Sequence, residues 1–105
     1  MSYGNNNLLM VKGAQYITFG AASDSTDLHP GTIGVTLRTS EDCWININAA
    51  AAAPGAEKTF GSSFPLRADE SIDIAVPWST DASPVSIHAI QDSTTGTLDI
   101  IERGE

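Results

Sequence analysis

Apolar and polar residues alternate with a period of two along much of this chain. That is the pattern of strands whose successive side chains point to opposite faces of a sheet. The clearest run spans residues 85–102. Val85, Ile87 and Ala89 alternate with Ser86 and His88, the polar segment Gln91-Asp92-Ser93-Thr94-Thr95-Gly96 intervenes, and Leu98 and Ile100 then alternate with Thr97 and Asp99. Two alternating runs around a Gly-ended polar loop predict a β-hairpin, the expected spine of the domain. Ile90 and Ile101 interrupt the alternation, so the second face of this hairpin is partly apolar.

The same pattern, read from the N-terminus, predicts the other elements. Residues 1–7 hold three consecutive Asn and a Gly, and read as a polar arm. Leu8-Leu9-Met10-Val11 follows, an apolar run that suits either an edge strand or an extension ordered by a partner. Residues 15–19 (QYITF) are rich in β-formers, whereas residues 20–31 lack apolar periodicity and read as a surface loop. Ile33, Val35 and Leu37 predict a half-buried strand, and Cys43, Ile45 and Ile47 another, after the polar turn 39–42. Ala49 to Ala53 is too short for a helix to hold alone, and helix and loop both stay open there. Phe60, Phe64 and Leu66 lie among Gly, Ser and Pro and predict an irregular segment pinned by aromatic anchors. Ile72, Ile74 and Val76 mark a strand closed by Pro77, which has no N–H for a ladder. Six to eight short strands without an amphipathic helix argue for an all-β sandwich or small barrel.

Composition narrows the function. At 105 residues the chain makes one domain. Thirteen acidic residues against five basic ones give a formal charge of −8. The basic residues Lys12, Arg38, Lys58, Arg67 and Arg103 are scattered, so binding nucleic acid through its phosphates is not expected. Cys43 is the only cysteine, which excludes an intrachain disulfide. No segment has the length and apolarity of a membrane span, and the first residues lack the basic region of a signal peptide. The expected setting is a protein assembled in a cytoplasm.

Candidate chemistry is sparse. Cys43 with His88 or His29 would form a nucleophile–base pair, but Cys43 is in register with Ile45 and Ile47 and beside Glu41 and Asp42. It reads as a buried structural thiol. His88 falls opposite the core set, and His29, before Pro30-Gly31, reads as a solvated turn residue. The carboxylates Asp69, Glu70 and Asp73, and Glu41 with Asp42, occupy turns and solvent-facing positions. No zinc spacing, EF-hand loop, P-loop or nucleophile-elbow motif is present, so neither a metal, a cofactor nor an enzymatic activity is expected. Trp44 alternates with Cys43 and Ile45 and therefore faces away from the core, and Trp78 follows the strand-ending proline. Such aromatics cover a sheet face beneath a loop, anchor a protein interface, or form a sugar-stacking platform.

Several segments in order resemble small virion proteins of tailed phages: the strand–turn–strand Arg38-Thr39-Ser40-Glu41-Asp42-Cys43-Trp44-Ile45, the Ala-rich stretch with Phe64-Pro65-Leu66, the strand 70–76, and Ala89 to Leu98. The similarity runs from Val35 to Glu102, and residues 1–34 do not share it. The resemblance implies a capsid decoration (cement) protein built as an antiparallel β-sandwich or jelly roll. The residues themselves give an N-terminal arm over 1–14, flexible or ordered by a partner, ahead of a sandwich at 15–105. The resemblance further implies a homotrimer on the capsid surface, bound to major capsid protein and to its own copies, with no nucleic-acid or membrane partner. Partner contacts are then expected from Tyr3, Leu8, Leu9 and Met10 of the arm, from Trp44 and Trp78, and from Ile90 and Ile101. The alternative is a carbohydrate- or receptor-binding β-module of a tail or head fibre, using Trp44 or Trp78 as its platform.

Overall fold

The computed structural model describes residues 10–48, 51 and 63–104. These form eight strands: β1 (Met10–Phe19), β2 (Asp24–Asp27), β3 (Thr32–Thr39), β4 (Cys43–Ile47), β5 (Phe64–Leu66), β6 (Ser71–Ala75), β7 (Ser86–Gln91) and β8 (Gly96–Gly104). They build two four-stranded sheets, one in the order β1-β8-β3-β6 and the other in the order β2-β7-β4-β5. The pairs β1–β8, β2–β7, β3–β6 and β4–β5 are nested and antiparallel. The chain is thus one long hairpin, with its tip between β4 and β5, rolled over on itself. The cross-pairs β3–β8 and β4–β7 complete the two sheets. This is the jelly-roll form of the β-sandwich.

The rolling overturns the expected hairpin. β7 and β8 do not pair with each other; each is an interior strand of a different sheet. Their inward sets meet across the core instead. Ile87 and Ala89 of β7, and Leu98 and Ile100 of β8, have no solvent exposure. In a hairpin all four would share one face of one sheet, whereas in opposite sheets they bury each other across the core, about 10 Å of inter-sheet space. Residues 92–95 carry the chain from one sheet to the other. Ile17 and Phe19 from β1, Val35 and Leu37 from β3, Cys43 and Ile45 from β4, and Leu66 from β5 join this core, with Leu28, Val76 and Val85 from the connections.

Two further strands escape hydrophobic periodicity. β2 lies within the stretch read as loop, because its sequence DSTD has no apolar residue. Pairing with β7 and hydrogen bonding of Thr26 to Gln15 hold it in place. β5 contains Pro65, which suits its position at a sheet edge. β1 starts at Met10, so residues 10–14, read above as arm, are strand paired with β8. Residues 1–9, with Tyr3, Leu8 and Leu9, lie outside the described residues, as does most of the alanine run. Its one described member, Ala51, is buried and donates its N–H to Ser23 Oγ at 3.0 Å.

The first and last described residues meet at one end of the sandwich, the terminal end. Met10 pairs with Gly104, Gly104 with Thr32, and Ser79 N–H donates to the Thr32 carbonyl at 3.0 Å. β1 and β3 each bulge against β8 here, at Val11/Gly13 and at Thr32/Gly34, which adds local twist. Gly104 is required by close approach: a Cβ would stand 2.3 Å from the Gly31 carbonyl oxygen.

The same end buries a carboxylate. Glu102 follows Leu98 and Ile100 on the inward face of β8 and has no solvent exposure. One oxygen accepts the His29 backbone N–H at 2.6 Å, and the other lies 2.6 Å from His29 Nδ1. Gln15 Nε2 adds a bond at 3.3 Å. His29 therefore does not behave as a solvated turn residue, although its side chain keeps 57% of its exposure. A buried carboxylate left short of donors carries its desolvation cost uncompensated. We expect His29→Ala to lower the unfolding free energy by about 1–3 kcal/mol in urea titrations. A solvated His29 would give a change of less than about 0.5 kcal/mol.

Candidate functional site

Two surfaces gather the candidate residues. The first is the outer face of the sheet containing β4. Trp44 of β4 stands between Pro65 of β5 and Ile90 of β7, its registered neighbours. Because Cys43, Ile45 and Ala89 are inward, this row points outward. Two residues further along each strand, and so on the same face, lie Arg67, Asp42 and Asp92. Asp92 N–H donates to the Asp42 carbonyl at 3.2 Å, and Arg67 Nη1 is 3.6 Å from Asp42 Oδ2. An aromatic, apolar row thus borders a charged row across about 7 Å of strand rise.

An open cleft of about 260 Å³ lies between the two rows, lined by Trp44, Pro65, Arg67, Asp42 and Asp92. Its groups are held before any ligand arrives. Trp44 Nε1 donates to Asp92 Oδ1 at 3.0 Å, which fixes the half-buried indole. Asp42 Oδ1 accepts the Ala68 N–H at 2.7 Å, and the Arg67 N–H is held by Glu70 Oε1 at 2.8 Å. The Arg67 side chain is 76% exposed and has Asp42 as its one side-chain partner among the described residues.

The second surface is the terminal end, where Met10 pairs with Gly104. Trp78 is 70% exposed, Met10 64% and Val11 59%. Trp78 precedes Ser79, whose buried hydroxyl donates to the Leu28 carbonyl at 3.1 Å and accepts the Val85 N–H at 3.0 Å. The loop under Trp78 is therefore tied to the β2–β3 connection and to the start of β7. Tyr16, further along β1, is also exposed, and its registered partner is Asp99.

The structure therefore divides the residues expected to bind partners. Trp44 and Ile90 are neighbours on one sheet face. Ile101 is half-buried on the outer face of the other sheet, between Ala14 and Thr36. Met10 and Trp78 share the terminal end, while Tyr3, Leu8 and Leu9 fall outside the described residues. Sequence reasoning did not single out Asp42, Arg67 and Asp92 as companions of Trp44. The available signal was parity: each sits two positions beyond an outward residue of its own strand.

The pairings weighed for catalysis are not formed. Cys43 is inward, whereas His88 lies outward opposite Asn46 and bonds Ser86 Oγ at 2.8 Å. His29 belongs to the opposite end, on Glu102. Among the described residues, no group of three or more His, Cys, Asp or Glu is placed to hold a metal ion. Burial pushes the Cys43 thiol pKa up, the Asp42 charge adds to this, and the Thr39 hydroxyl offsets part of it.

That shift has a sign that can be tested. The folded chain keeps the Cys43 proton at pH values where the unfolded chain has lost it, so this contribution is complete below the ordinary thiol range and fades as pH rises through and above it. We expect unfolding free energy to fall more steeply with alkaline pH in the wild type than in Cys43→Ala, as measured by urea midpoints on both proteins. No family model matches the chain, and no match to it was found among curated proteins or solved structures.

Proposed function

We propose that this chain is a structural virion protein of a tailed phage, which decorates and stabilises the capsid by binding major capsid protein and its own copies, as a homotrimer. The observation that carries the reading is the terminal end of the sandwich. Met10, Val11 and Trp78 expose apolar surface there, on a backbone tier that runs Met10–Gly104–Thr32–Ser79. Large apolar side chains left exposed at the same end of the sandwich support an interaction surface there. Jelly rolls recur among capsid proteins, which supports the reading without deciding it, since one fold serves many functions.

Magnitudes favour a repetitive partner. Covering Met10, Val11 and Trp78 would supply about 3–6 kcal/mol in gross terms. Association costs about 4–15 kcal/mol in lost freedom, so one such contact is weak. Copies joined to each other and to a lattice multiply it, and avidity gains of about 10²–10⁴ are ordinary. A capsid surface provides that arrangement, and the acidic charge keeps the unassembled protein soluble.

Particles produced without this protein should lose infectivity faster on heating or chelation, and adding the purified protein back should restore resistance. Trp78→Asp should reduce its binding to such particles by about tenfold or more without lowering its melting temperature. Particles equally resistant with and without the protein would remove the proposal.

A further inference from the structure

We infer that the Trp44 cleft is a binding site for a neutral sugar, with a single pyranose ring stacked on the indole. This goes beyond the capsid reading and does not rest on it. Three observations converge on the ligand class.

First, the platform is apolar and carries an aromatic ring. Trp44 is flanked in register by Pro65 and Ile90 on the outer face of a sheet. The axial C–H face of a pyranose is apolar and of matching shape, and aromatic side chains bind it by stacking. Second, the bordering row supplies hydrogen-bonding capacity in both directions. Asp92 Oδ1 is engaged by Trp44, while its second oxygen has no protein partner among the described residues. Among the described residues Asp42 is the one ion-pair partner of the Arg67 guanidinium, which leaves most of its N–H groups unused by them. Vicinal ring hydroxyls donate and accept at adjacent positions, and a carboxylate beside a guanidinium answers both. Third, charge selects against the main competitors. The row carries two carboxylates against one guanidinium, on a chain of net charge −8, which disfavours phosphate, sulfated glycan or nucleic acid.

The cleft also sets the expected affinity. At about 260 Å³ and open to solvent, it falls below the roughly 300–1,000 Å³ of sites that engulf a drug-sized ligand. At about 0.3 kcal/mol per non-hydrogen atom, one ring of about twelve such atoms should bind a single domain with a dissociation constant on the order of 1 mM. Trp78 lies outside this arrangement, since the loop that carries it packs at the terminal end.

The test is a titration of the purified full-length chain with methyl glycosides of glucose, galactose, mannose and N-acetylglucosamine and their short linear oligomers. Binding is read by amide and indole chemical shifts and by fluorescence of the Trp78→Phe protein, in which Trp44 is the sole indole. At least one neutral sugar should shift the Trp44 indole, Asp92 and Arg67 signals saturably, with Trp78→Phe binding as the wild type does. Trp44→Ala should weaken that binding by about thirtyfold or more. Arg67→Ala changes an exposed side chain, so it should fold normally and bind severalfold more weakly. The inference is overturned if no sugar in the panel perturbs the Trp44 signals, if perturbations map to the Trp78 end, or if Arg67→Ala binds as tightly as the wild type. Loss of sugar binding would leave capsid protection intact, and loss of capsid protection by Trp78→Asp would leave sugar binding intact, so the two readings fail separately.

Discussion

A carboxylate with no access to water organises the terminal end of this sandwich. Glu102 continues the inward series of β8 but brings a charge where Leu98 and Ile100 bring hydrocarbon. It can lie there only because three donors converge on it: the His29 amide, the His29 ring and the Gln15 amide. Gln15 in turn accepts from the Thr26 hydroxyl and donates to the Asp27 carbonyl at 2.9 Å. One network therefore joins β8 and β1 of one sheet to β2 of the other. Apolar contacts hold the sheets face to face without direction, whereas this network fixes how their edges meet.

That end is also where Met10 and Trp78 present their side chains, and a fixed backbone raises the value of an exposed apolar group. An anchor already in place gives up less conformational freedom on binding than one carried on a loose loop. The cleft on the opposite half of the molecule follows the same logic with different chemistry. There Trp44, Asp92, Asp42 and Arg67 are oriented by hydrogen bonds and an ion pair before any ligand arrives. The two surfaces are separated along the strands, so occupying one leaves the other accessible.

The fold class and most core positions were legible because strand parity survives in the sequence. Val35, Leu37, Cys43, Ile45, Ile87 and Leu98 all fall where alternation places them. What alternation cannot carry is which strands pair. The runs before and after residues 91–96 look the same whether they form a hairpin or face each other across a core, because both arrangements need one apolar side per strand. β2 was illegible for another reason: DSTD has no apolar side, and tertiary pairing alone makes it a strand. Glu102 was legible by parity but goes against the rule that charges stay outside, and its partner His29 lies far away in the chain. The same distance hid the cleft, since Asp42, Arg67 and Asp92 come from three separate connections.

Nested pairing bears on how the chain reaches this state. The pairs furthest apart in sequence, such as Met10 with Gly104, lie in β1 and β8, and β8 is also the main neighbour of β3. Most of one sheet therefore depends on contacts that close very long loops, whose entropic cost comes before any reward. Folding by this topology belongs to the millisecond-to-second regime of all-β domains, with β4 and β5 the nearest strand pair in sequence and β1 and β8 the most distant. Until β8 docks, β1 exposes both of its edges together with Met10, Val11 and Tyr16. The edge that carries the exposed Met10, Val11 and Tyr16 is thus also the one most open to mispairing on the way there, and the charge of Lys12 on that strand works against it.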